Sequence, residues 1–275
     1  MFNLFKHELF SRWRAVIGWG IGLSMFSALY VGVYPSFADQ MTAFANVEFY
    51  KLLGMDLASF AGYIASIVVQ ILPIILGVNV IMLAIGTLAG EEDSGTLELV
   101  VAMPLYRWQI VAMKTVALLI AILLIMLIFG AGSALVLAIV TATTDVAIDT
   151  TPMQLYGALL GAYPLMVALF GVSLFLGTFM PSRRSAMTLM IFLYIASYGI
   201  NSVSNLVESL HWLKTFSLFS YVNTAVSVFT EGHDVGKLLV LLAVGAVFFG
   251  LALWSFEGRN ITVGQWPWQR ARNSA

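Results

Sequence analysis

The sequence predicts an all-α integral membrane protein in which six helices cross the bilayer. Three observations carry that reading: the composition, the number of charge-free stretches, and the distribution of Lys and Arg. Of the 275 residues, 60% are apolar and 10% charged, against about 45–50% and about 25% in a soluble domain. So few charges cannot clothe so much apolar surface in water. The mean hydropathy of +0.94 agrees. A formal net charge of −1 offers no basic footprint for nucleic acid. Cysteine is absent, which excludes disulfides, thiolate nucleophiles and thiolate metal sites.

An ionised side chain is costly in hydrocarbon, so the spans are read from stretches that lack one. Six qualify: 15–38, 57–90, 115–144, 150–182, 185–207 and 238–256. Each approaches or exceeds the roughly 20 residues a membrane helix needs. The second is long enough, at roughly 1.5 Å per residue, to tilt or project beyond the bilayer. Pro73 within it and Pro164 in the fourth are expected kink sites. The stretch from Thr215 to Thr230 is shorter and rich in Ser, Thr and Asn. It reads as a re-entrant or interfacial segment.

Orientation follows from the cations. With both termini in the cytoplasm, ten of the 13 Lys and Arg lie inside: Lys6, Arg12, Arg14, Arg107, Lys114, Arg183, Arg184, Arg259, Arg270 and Arg272. Lys51, Lys214 and Lys237 remain outside. This asymmetry is what the positive-inside rule asks for. Segments 39–56, 142–152 and 208–236 are then external. The apolar run from Ala15 is too long for a signal-peptide core and is expected to stay as the first span. Before it, Phe2, Phe5, Leu9 and Trp13 recur at helical spacing, with Lys6, Glu8 and Arg12 on other faces. Residues 1–14 therefore read as an amphipathic helix on the cytoplasmic surface, serving as an anchor or as a contact for a cytosolic partner.

Most chemistry is missing from the pattern. There is no HExxH or comparable metal spacing, and His7, His211 and His233 are far apart and read as surface residues. Gly232 to Lys237 reads GHDVGK, which misses the phosphate-loop spacing. No span stretch holds an Asp, Glu, Lys, Arg or His, whereas ion-coupled transporters commonly carry such relays. Uphill movement of a solute would then draw its energy from another chain.

The segment between the second and third spans is different. It reads GEEDSGTLELVVAMPLYRWQIVAMK from Gly90 to Lys114. Glu91, Glu92, Asp93 and Glu98 stand among mostly basic loops. Gly95 permits a turn, Thr96 to Met103 can form about two helical turns, and Pro104 stops them. Leu97, Val100 and Val101 cluster on one side, and Arg107 falls where the third span starts. Two readings fit: a solvated, membrane-hugging loop, or a docking element whose apolar ridge enters a groove on a cytosolic protein.

The string Glu91-Glu92-Asp93-Ser94-Gly95-Thr96-Leu97-Glu98-Leu99-Val100, followed by Pro104-Leu105-Tyr106-Arg107 and Lys114, resembles the cytoplasmic signature of ABC transporter permeases of the type-2 exporter class, the ABC-2 permease family. The tail Trp254 to Ile261 resembles that family's closing pattern, with Gly258 and Asn260 where Arg and Asp are common. The resemblance implies a single transmembrane permease domain over residues 1–275, with a cytoplasmic tail at 257–275. It implies a multi-pass protein of the plasma (inner) membrane that pairs with a second permease, identical or homologous, and with two cytosolic ABC ATPase subunits. Glu91 to Met103 becomes the coupling helix, residues 91–108 the coupling segment, and the N-terminal helix the connecting helix. ATP and Mg would sit on the partner ATPase, with no cofactor on this chain.

In this family the route lies between permease halves, lined largely by the second and fifth spans. The polar residues there are Gln70, Asn79, Ser197, Asn201 and Asn205. Asn201 and Asn205 share a face. Each of the five fits either substrate contact or interhelical hydrogen bonding, and a mainly apolar lining suits an amphipathic solute. The pairs Gly18/Gly22, Gly86/Gly90 and Gly157/Gly161 are the expected places of close helix approach. Two other classes compete with the exporter reading: a membrane scaffold or sensor that docks a cytosolic partner, and an ion-coupled secondary transporter.

Overall fold

The computed structural model describes residues 2–44, 59–90 and 106–258. Helix α1 (Phe2–Ser11) precedes six helices long and apolar enough to cross a membrane. The first span is the bulk of α2 (Trp13–Phe44), and the second runs through α3 (Phe60–Ile64) and α4 (Ile71–Gly86). The third is α5 (Arg107–Thr143), and the fourth joins α6 (Pro152–Leu160) to α7 (Tyr163–Phe179). The fifth is α8 (Arg183–Leu206) and the sixth α9 (Val235–Glu257). Among the described residues there is no strand. Consecutive spans run up and down, which leaves one face with α1 and the starts of the third and fifth spans. We call this the N-terminal face.

The expected spans are present, but the third begins earlier than its charge-free stretch. Its helix includes Arg107 and Lys114. Arg107 sits at the helix start, while Lys114 is buried and faces Glu8 across 3.5 Å. A paired charge does not end a helix as an unpaired one would. At 37 residues the helix is about 55 Å long, so it stands well out of a 30 Å hydrocarbon layer.

The second span carries an irregular turn just before Pro73. Residues Ala65–Val69 form a π-turn, in which the Gln70 N–H reaches the Ala65 carbonyl at 2.9 Å, and such an inserted residue is a recognised cause of bends. Its first turn is capped twice: Ser59 Oγ accepts from Gly62 N at 3.0 Å, and Asp149 Oδ1 from Ala61 N at 2.9 Å. Both acceptors satisfy orphan donors at the positive end of the helix. The fourth span breaks. Its first half starts with Pro152 after the reciprocal Thr151–Gln154 cap and stops at Gly161. The helix restarts at Tyr163, with Pro164 in the opening turn, where a missing N–H costs nothing.

Packing centres on the fourth and sixth spans. A Cβ at Gly171 would lie 2.6 Å from the Gly245 carbonyl oxygen, and one at Gly245 would lie 3.0 Å from that of Val167. The two backbones therefore touch, as small residues in membrane helices allow. This pair was not among the expected ones. Gly18, Gly22 and Gly157 instead meet nothing within 4 Å, because sequence spacing identifies a smooth helix face without saying what covers it. The first and third spans are joined by Ser24, whose Oγ donates to Gly20 O at 2.8 Å and Ile128 O at 3.2 Å. Outward faces are apolar and exposed, with Met25 and Leu29 on the first span and Phe192 and Ile195 on the fifth.

Between the fifth and sixth spans the chain makes three short 3₁₀ helices: Glu208–Phe216, Leu218–Tyr221 and Val226–Phe229. Phe219, Val222, Val228 and Phe229 are buried, so this stretch is a folded layer seated on the span ends.

Candidate functional site

The residues expected from the sequence to dock a partner, Glu91, Glu92, Asp93, Gly95, Thr96, Leu97, Glu98, Val100, Val101 and Pro104, lie outside the described residues. What the structure shows is how both ends of that segment are held. On one side Arg183, at the start of the fifth span, lies against Gly90, close enough that a Cβ there would be 3.6 Å from its Nη1. On the other, Arg107 opens the third span, half-buried, and the Tyr106 N–H donates to Gln109 Oε1 at 3.1 Å.

One turn further along is the ion-pair cluster. Glu8 Oε2 is 3.5 Å from Lys114 Nζ, and Glu8 Oε1 is 3.0 Å from Arg12 Nη2. The Lys114 side chain is only 3% exposed and that of Glu8 10%. Leu9 packs on the core beside them, whereas Phe10 and Trp13 are exposed. Thus α1 is docked on the third span through its acidic residue. The helical spacing grouped Glu8 with the polar faces, but the structure turns it inward. The missed signal is that Glu8 is the one carboxylate in the first 38 residues, set among cations and an apolar surface. A buried carboxylate needs a cation.

At the opposite face, the inward side of the fifth span carries Tyr194, Ser197, Tyr198, Asn201 and Asn205, spaced to share one face. Their tasks differ. The Tyr194 hydroxyl is shared between the carbonyls of Pro73 at 2.7 Å and Ile74 at 3.0 Å. It reaches them because Gly77 has no side chain in its way. Ser197 clamps the 3₁₀ layer: its Oγ accepts from Leu218 N at 3.0 Å and lies 3.2 Å from Ser217 Oγ, which donates to Ser197 O at 2.7 Å. Phe219 then sits against both tyrosine rings, with centroids 5.3 Å from Tyr194 and 5.4 Å from Tyr198.

Above Phe219 opens a cavity of about 590 Å³. It is lined by Asn201 and Asn205 from the fifth span, by Lys214, Ser220, Asn223, Thr224 and Ser227 from the 3₁₀ layer, and by Glu231, His233, Asp234 and Lys237 at the entry to the sixth. Asn223 is occupied, donating to Ser227 Oγ at 3.0 Å and Gly232 O at 3.1 Å. Asp234 caps the sixth span through Gly236 N at 2.8 Å. Among the described residues, nothing pairs with the side chains of Asn201, Asn205, Lys214, Glu231 or Lys237.

Gln70 and Asn79 are half-buried on the second span and do not line this cavity. Gln70 follows the π-turn, and Asn79 Oδ1 is buried without a partner. The structure therefore gathers Asn201 and Asn205 into one cavity, gives Ser197 a clamping position, and leaves the second-span amides elsewhere. His233 is also more than a surface residue. Its Nε2 lies 3.0 Å from the Ala158 carbonyl, and its ring packs on Gly161 at the break in the fourth span. Burial lowers its pKa from the ordinary 6.5, opposed in part by the bond to Ala158, so the neutral ring is the favoured form.

A family model described as ABC-2 family transporter protein matches residues 2–261. The chain belongs to that family: it is a multi-pass membrane permease, a transport component rather than a catalytic one. No curated protein matches it.

Proposed function

We propose that the chain is the permease half of an ATP-driven exporter, that it pairs with a second permease, identical or homologous, and that it is driven by two cytosolic ATPase subunits. The observation that carries this reading is the family match over residues 2–261, in a sequence whose nearest approach to a phosphate loop has the wrong spacing. The Lys and Arg asymmetry supports placing the N-terminal face in the cytoplasm of a plasma (inner) membrane protein. In that orientation the resemblance makes Glu91 to Met103 the coupling helix, and Arg107 begins the span that follows it. ATP and Mg belong to the ATPase subunits. The chain forms one permease domain with the fifth span along the substrate route. The exposed apolar faces of the first and fifth spans suit lipid or a second permease.

Co-purification on a tagged copy, with every bound chain identified, tests the proposal. Recovery of an ATPase carrying its own phosphate loop supports it. A complex that transports solute with no ATPase bound contradicts it.

A further inference from the structure

The unpaired groups in the opposite-face cavity carry charges of both signs, and they stand beside two neutral amides. We propose that this cavity binds a zwitterionic phosphate–amine head group. The inference rests on reading the chain as the substrate-carrying permease and names the chemical class that its outward site accepts. Among the described residues Lys214 and Lys237 are ammonium groups without a carboxylate partner, and lysine binds phosphate as a point charge. Glu231 is a carboxylate without a cation partner among the described residues and suits an ammonium group. Asn201 and Asn205 offer amide donors and acceptors from one helix face, which suit ester or hydroxyl oxygens.

A simple anion would gain the lysines but meet Glu231 and Asp234 as well. A simple cation would meet both lysines. A ligand with both charges gives each sign in the lining a partner. The volume of about 590 Å³ falls in the range of small-molecule sites, roughly 300–1,000 Å³. Phe219 and Val222 also line the cavity, which gives an apolar start to any chain attached to the head. A free compound and a phospholipid both carry such a head group, and the two sources are separable.

The absence of native cysteine makes the test direct. Thr224→Cys, on the cavity lining, is alkylated with an impermeant maleimide in the purified complex. Ala225→Cys repeats the measurement from a neighbouring position, and exposed Ser209→Cys, outside the lining, is the control. In phosphatidylglycerol nanodiscs, phosphoethanolamine at about ten times its dissociation constant should slow alkylation of Thr224→Cys about tenfold, leaving Ser209→Cys unchanged. Inorganic phosphate or ethanolamine alone should protect far less, and Lys214→Gln or Glu231→Gln should remove the protection. Protection only in phosphatidylethanolamine nanodiscs assigns the head group to a lipid, and protection by the soluble compound assigns it to a free ligand. No protection from either source, or protection by inorganic phosphate equal to that by the zwitterion, overturns the proposal. The assay reads ligand protection and not ATP hydrolysis, so its failure with partner co-purification intact removes the ligand class and leaves the permease reading standing.

Discussion

The two faces of the molecule use charge in opposite ways. At the N-terminal face Glu8, Arg12 and Lys114 are close-paired, and the lysine is almost wholly buried. At the opposite face Lys214, Glu231 and Lys237 border a cavity and engage no partner among the described residues. Paired, buried charge resists rearrangement because separating it exposes each group to the full desolvation penalty. Unpaired charge beside a cavity stays hydrated and available to a ligand. The contrast teaches that the first cluster fixes geometry and that the second is free to bind.

The contrast can be broken from either end. The largest effect on stability should come from Glu8→Gln, which strips the buried Lys114 of that carboxylate and costs on the order of 3 kcal/mol. Thermal unfolding in nanodiscs should show a clear drop, with α1 more open to proteolysis than in the wild type. A variant as stable as the wild type would mean that the pair is ornamental. Tyr194→Phe comes next. It deletes the hydroxyl shared by the Pro73 and Ile74 carbonyls, a loss of about 1 kcal/mol, and hydrogen exchange along the second span near Gly77 should quicken.

Acidification should give a smaller effect, confined to the opposite face. Because burial holds the pKa of His233 below 6.5, the neutral ring contributes stability that is present above that pH and declines as pH falls below it. Proteolysis of the 208–234 region should rise on that side of the scale, and His233→Gln should flatten the dependence. Asn201→Leu with Asn205→Leu should change stability least, by about 0.5 kcal/mol or less. Transport or substrate-stimulated ATP hydrolysis should nonetheless change. Loss of assembly in that double variant would mean that the amides are interhelical bonds.

Much of this arrangement was legible in the sequence. Six spans follow from charge-free length because hydrocarbon tolerates little else, and 215–230 is legible as a stretch too short and polar to cross, though its 3₁₀ form and its start at Glu208 are not. Asn201 and Asn205 are visible as a pair because helical spacing puts them on one face. What could not be read depends on contacts between remote elements. Arg107 marks the start of the third span, but the burial of Lys114 within it depends on Glu8 from a remote element, which the charge-free stretch alone does not reveal. Gly171 meets Gly245 from another helix, and spacing within either helix says nothing of it. Nothing in their spacing relates Lys214, Glu231 and Lys237, because only the fold brings them around a cavity.

The proposed coupling of the N-terminal face to an ATPase is tested most directly at Leu97. Leu97→Asp would place a charge in a desolvated contact, a change that costs several kcal/mol at an interface core. It leaves the charge-free span stretches intact, so insertion should be normal. In the reconstituted complex the account predicts loss of ATPase pull-down and of coupled ATP hydrolysis, with normal yield of the permease itself. Wild-type partner binding and wild-type hydrolysis in Leu97→Asp would contradict it.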